Sequence, residues 1–186
     1  MQVAEADDAS AADISMLAAN LSDSVARLKD HPMVTALSGL AFEAFATTVV
    51  RAQGYEDVHS GEKVPYFEQG NETTREVDVH GHRGEDWLVV ECKALNEKKE
   101  LDRDSVKYFF TETVPAFIKE KGKTNIRKCR AELWTTGKVT TELRGYLQHE
   151  LRTPRGVDVA ILARNEIAVP KQLRPLQRIL SVLGAL

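Results

Sequence analysis

Residues 76–94, EVDVHGHRGEDWLVVECKA, decide how the chain is read. Glu76–His80 and Trp87–Ala94 are short β-rich runs joined by the turn-forming Gly81–Asp86, so the stretch predicts an antiparallel hairpin. Alternate side chains of a strand share a face, which puts Glu91 and Lys93 on one side and Val90, Cys92 and Ala94 on the other. The same alternation sets Asp78 opposite Val77 and Val79, where the hairpin can bring it beside Glu91. Charges in so apolar a strand are costly unless paired or bound to a metal. Two carboxylates about 4 Å apart repel by about 4 kcal/mol at an effective dielectric near 20, and one lysine offsets only one of them. A divalent cation with a preference for oxygen ligands, such as Mg²⁺, balances the excess. The plainer reading is a buried Glu91–Lys93 ion pair, with Asp78 solvated at a strand end.

Upstream, Thr35–Gln53 reads as a helix with Gly54 as its stop, and Glu43 is an isolated acid among Leu40, Phe42, Phe45 and Ala46. Residues 59–75 are polar and contain Gly61, Pro65 and Gly70, which reads as a long loop or a loosely ordered hairpin. Ile14, Ala18, Leu21, Val25 and Leu28 recur at steps of four and three, an amphipathic helix within an acidic segment 1–30 that packs on its own domain or forms a dimer seam. Downstream, Leu101–Lys121 reads as helical despite Pro115, Ala131–Thr135 as a strand, Thr140–Leu151 as a helix and Val157–Ala163 as a strand. Segment 171–186 reads as a C-terminal helix opened by Pro175. This order predicts an α/β sandwich around a mixed sheet.

Composition narrows the classes. The chain has 186 residues and is 42% hydrophobic, which makes one globular domain the default. Cys92 and Cys129 lack metal-ligand spacing and suggest neither a zinc module nor a disulfide scaffold, hence a reducing, cytoplasmic setting. No apolar run is long enough for a membrane span, and the N-terminus is acidic where a secretion signal is basic. The net charge of −3 is uneven: acids dominate residues 1–30, whereas Lys119, Lys121, Lys123, Arg127, Lys128 and Arg130 form a basic stretch, read either as a nucleic-acid-facing surface or as a solvated loop.

A helix with a central Glu, an Asp at a strand end, and E-x-K after a hairpin resemble the active-site pattern of the PD-(D/E)xK nuclease superfamily, here Glu43, Asp78 and Glu91-Cys92-Lys93. GLAFEAFATTVVRAQGY (39–55) and LWTTGKVTTELRGYL (133–147) are similar to the G-x-x-F-E helix and the strand-turn-helix of Mrr-type restriction endonuclease domains. The likeness runs from about Ser38 to Ile167. It departs at Val77, where the superfamily name has proline, at Glu91, where many Mrr-type domains carry Gln, and in lacking the Q-x-x-x-Y signature of the RecB-like branch.

The resemblance implies a restriction-endonuclease-like three-layer sandwich, with a nuclease domain over 31–170 and the 171–186 helix packed on it. It implies Mg²⁺-dependent endonucleolytic cleavage of DNA, with Mn²⁺ able to substitute, in restriction, defence or repair with partner proteins of such a system. Glu43, Asp78, Glu91 and the Cys92 backbone carbonyl would hold one or two metal ions. Lys93, its pKa lowered toward neutrality by desolvation and a nearby cation, would orient or deprotonate the attacking water. Lys107, Lys121, Lys123, Thr136 and Lys138 are the candidate nucleic-acid contacts. One active site cuts one strand, so double-strand cleavage requires a homodimer or two visits. The rival expectation is a catalytically silent module of the same fold that binds nucleic acid or a protein.

Overall fold

A computed structural model describes residues 32–68, 70–96, 98–122 and 126–182. The expected N-terminal helix and Lys123 lie outside these residues. Helix α1 (Pro32–Ala52) leads into strands β1 (Glu56–Glu68), β2 (Asn71–Arg83) and β3 (Asp86–Lys93). A helical run follows: α2 (Arg103–Tyr108), a π-helical turn (Phe109–Thr113) and α3 (Val114–Lys121). Then come β4 (Lys128–Thr135), α4 (Thr141–Gly145) with a second π turn (Tyr146–Glu150), β5 (Val157–Ala163) and α5 (Arg174–Val182).

The five strands form one mixed sheet in the order β1-β2-β3-β4-β5, antiparallel from β1 to β3 and parallel from β3 to β5. Parallel neighbours need crossovers, and the α2–α3 run and α4 supply them. Leu88, Val90 and Cys92 of β3 pack in a core with Phe42, Phe45 and Val49 of α1 and Leu173 just before α5. Val89 belongs to a second core with Phe109, Phe110 and Phe117 of the crossover run and Leu143 and Leu147 of α4 and its π turn. The protein is thus α/β, with helices on both faces of a five-stranded mixed sheet, an arrangement compatible with a three-layer sandwich. No helix among the described residues is long and apolar enough to cross a membrane.

One open alternative is decided and one expectation is corrected. Of the two readings of residues 59–75 the hairpin is the one observed, with the segment divided between two 13-residue strands and Gly70 in the turn that joins them. Its polar sequence reflects position: β1 is the sheet edge, where Pro65 leaves no central ladder bond unmade. Alternation also breaks at Asp78, since Val77 lies in the crossover-side core and Val79 in the α1-side core. Gly61, between the registered pairs Ser60↔Val79 and Glu62↔Val77, has φ +67°, a backbone that glycine adopts cheaply, and the register shift of this ribbon lies nearer its start, between Glu56 and His59.

The π turn at Phe109–Thr113 has a local cause. Pro115 cannot give Thr111 the amide hydrogen an α-helix requires, and widening the preceding turn accommodates the ring without ending the helix. His80 is only 1% exposed; it packs against Trp87 and Phe117 and is bonded through Nε2 to Glu62.

Candidate active site

The β2–β3 ladder runs from Arg83↔Asp86 to Val79↔Val90 and then stops. One residue further along β2, Asp78 substitutes a side chain for the missing rung: its Oδ2 accepts a hydrogen bond from the Cys92 backbone N–H at 2.7 Å. Glu91 and Lys93 share the crossover-side face of β3, as alternation predicts, and Lys93 Nζ lies 2.6 Å from Glu91 Oε1. Glu43, on the middle of α1, is partly buried and senses the charges of Asp78, Glu76 and Lys93. The four residues singled out from sequence are therefore electrostatically one group.

Three carboxylates around one lysine leave negative charge in excess, and each acid registers it. Burial, reinforced by Asp78 and Glu43, pushes the Glu91 carboxyl up to about 7 against the pull of Lys93. Asp78 is raised by burial and Glu76, opposed by the Cys92 N–H and Lys93. Glu43 is raised by burial, then by Asp78 and Glu76. Lys93 departs from expectation. Burial works against its charge, but Glu91, Asp78 and Asp102 outweigh it and hold the ammonium above its ordinary range. In the metal-free protein Lys93 is a firm cation, not a lysine tuned toward neutrality.

Among the described residues no group of three His, Cys, Asp or Glu side chains is disposed to hold a metal ion. Glu91 is turned to Lys93 and Asp78 to the Cys92 amide. Cys92 and Cys129 are buried free thiols, both raised chiefly by desolvation.

Lys93 also borders a cleft formed with Asp102, Ser105, Lys107 and Tyr108 of the following loop and helix. Lys107 lines that cleft, together with the acids Asp104 and Glu112. Thr136 is differently employed: its hydroxyl accepts from Leu95 N–H at 2.7 Å and donates to Leu95 O at 2.6 Å. Thr135 Oγ1 donates to Lys93 O at 3.0 Å, and Gly137 passes so close to Lys99 that a Cβ would come within 2.6 Å of its carbonyl. This Thr-Thr-Gly turn clamps the chain on both sides of Ala94 and so positions Lys93. Lys138 is exposed at the next position. Lys121 is ion-paired to Glu62 on β1 at 2.7 Å and lies outside the cleft beside Lys93.

No family model matches the chain, and no curated protein sequence matches it. Among solved structures it is similar to the crystal structure of a protein of unknown function, AF1548, at 16% identity and a TM-score of 0.42. That similarity covers 66% of this chain and 58% of the neighbour, so the chain spans under two thirds of that protein's length.

Proposed function

We propose that the chain is a metal-dependent endonuclease of the PD-(D/E)xK superfamily, of Mrr type, which hydrolyses DNA phosphodiester bonds. The observation that carries this reading is the end of the β2–β3 ladder, where Asp78 accepts the Cys92 amide and Glu91 pairs with Lys93, with the Glu43 carboxylate of α1 near enough to help raise Glu91. The strand order and both crossovers accord with a restriction-endonuclease-like fold.

The donor types suit Mg²⁺ or Mn²⁺, hard carboxylate oxygens carrying more negative charge than one lysine neutralises, but the side chains would have to turn from their present partners to close on an ion. Glu43, Asp78, Glu91 and the Cys92 carbonyl would hold the ion, which when bound supplies Lewis-acid stabilisation of phosphate charge and an activated water. Lys93, held protonated by its neighbours in the metal-free protein, would stabilise charge developing on the phosphoryl oxygens. The Thr135–Gly137 turn keeps its backbone fixed while this happens.

A second reading, a catalytically silent nucleic-acid- or protein-binding module, is favoured by the Glu91–Lys93 contact and by the lack of a three-ligand cluster among the described residues. Supercoiled-plasmid nicking with Mg²⁺, Mn²⁺ or EDTA, run beside melting curves in the same buffers, separates the two. The nuclease gives metal-dependent nicking and a melting temperature that rises with metal, by about 2.7 kcal/mol of stabilisation at one hundred times the dissociation constant. Neither response would leave the silent module.

A further inference from the structure

Lys93, Thr135 and Ala163 stand in one row across the ends of the three parallel strands. With strands about 4.8 Å apart, that row spans about 10 Å. Just beyond it an open cleft of about 780 Å³ lies between the turns after β4 and β5 and helix α5. Its walls carry Lys138, Arg164, Arg174 and Arg178 against a single described acid, Glu100. Among the described residues none of these four cations has an ion-pair partner.

Arg174 and Arg178 are one turn apart on α5, and Gln177 and Ser181 extend the same stripe along the cleft. Like charges at that spacing weaken a helix, so they do not serve α5 itself. Guanidinium groups with amide and hydroxyl donors suit phosphate oxygens, which accept in bidentate fashion. A protein-docking surface would present aromatic or large apolar anchors, whereas the apolar side chains lining this cleft are Val139 and Ala163.

We propose that this cleft binds the sugar-phosphate backbone of a nucleic acid and holds it across the strand ends toward Lys93. The anion preference follows from the cleft; that the anion is a nucleic acid rests on the nuclease reading.

Binding of labelled duplex DNA by the full chain in EDTA, titrated against salt, tests it. Arg174→Gln with Arg178→Gln should lower the salt slope by about 1.8, and Lys138→Gln, on a separate element, by about 0.9. Melting temperatures of the variants confirm that they are folded. Cleft variants that are folded yet bind with an unchanged slope would overturn the proposal, as would a wild type that does not bind DNA. Polyglutamate displacing DNA at equal charge concentration would overturn it in favour of an acidic protein partner. The two readings fail separately. A chain that nicks DNA while its cleft variants bind normally loses only the cleft; one that binds through the cleft and never nicks loses only the nuclease.

Discussion

The protein has two cation-rich regions, and they differ in what their charges face. Along Lys119–Arg130, Lys121 is paired with Glu62, Arg127 with Asp86, Lys128 with Asp158 and Arg130 with Glu132, while Lys119 lies over the Phe67 ring. At the strand ends beyond β4 and β5, Lys138, Arg164, Arg174 and Arg178 have no such partners among the described residues, although Arg103–Glu142 and Arg144–Glu166 pair nearby. The stretch that is basic in sequence is locally neutralised. The region that is basic in space is assembled from separate segments, the turns after β4 and β5 and helix α5. Asp86↔Lys128 and Lys93↔Thr135 mark opposite ends of one parallel pair, seven residues or about 23 Å apart. A charge at the start of β4 is therefore remote from the chemistry proposed beside Lys93.

The largest test of this contrast is Lys93→Met, which keeps most of the side-chain stem and removes the charge. Plasmid nicking should fall by about 10³-fold, the scale of losing one preorganised electrostatic contact, while duplex binding persists through the neighbouring cleft. Nicking at a rate near wild type would break the contrast at its functional end.

A smaller effect reads out the crowding of carboxylates without any substrate. Glu91 is raised from an ordinary 4.5 to about 7, so folding favours its protonated form. Its stabilising contribution is complete below about pH 4.5 and is lost as pH rises through about 7, a change of about 3 kcal/mol. In EDTA, wild type should therefore lose stability across that window relative to Glu91→Gln. Parallel pH profiles for the two would show instead that Lys93 fully compensates the charge.

The smallest effect is expected where charges are already matched. Arg127→Gln combined with Lys128→Gln breaks two exposed pairs and should change stability by about 1 kcal/mol or less. Neither nicking nor the salt slope of DNA binding should move. A lowered slope would place the nucleic acid along β4's entry and reverse the assignment of the two regions.

What the sequence makes legible depends on how local each determinant is. Glu91 and Lys93 share a face because a strand alternates, and Glu43 stands out as an acid in an apolar helix; both follow from short-range pattern. Val157–Ala163 is predicted and observed over the same residues. The basic stretch misleads because its acids, Glu62, Asp86 and Asp158, lie on three different strands. Thr136 reads as a phosphate contact, yet its hydroxyl is engaged by Leu95, 41 residues away across a crossover. The polar edge-strand composition of 59–75 leaves loop and hairpin undecided in the sequence, whereas Arg174, Gln177, Arg178 and Ser181 at helical spacing are a visible signal for the cleft.

Asp78 stands in for a strand neighbour at the Cys92 amide, and this makes one rung of the sheet titratable. An ordinary ladder bond has a peptide carbonyl as acceptor and is indifferent to pH; this one has a carboxylate shared with the proposed chemistry. The amide resonance of Cys92 thereby becomes a built-in spectroscopic reporter. Its proton shift and its exchange with solvent deuterium should follow protonation of Asp78, and capture of Asp78 by a cation, before any substrate is added.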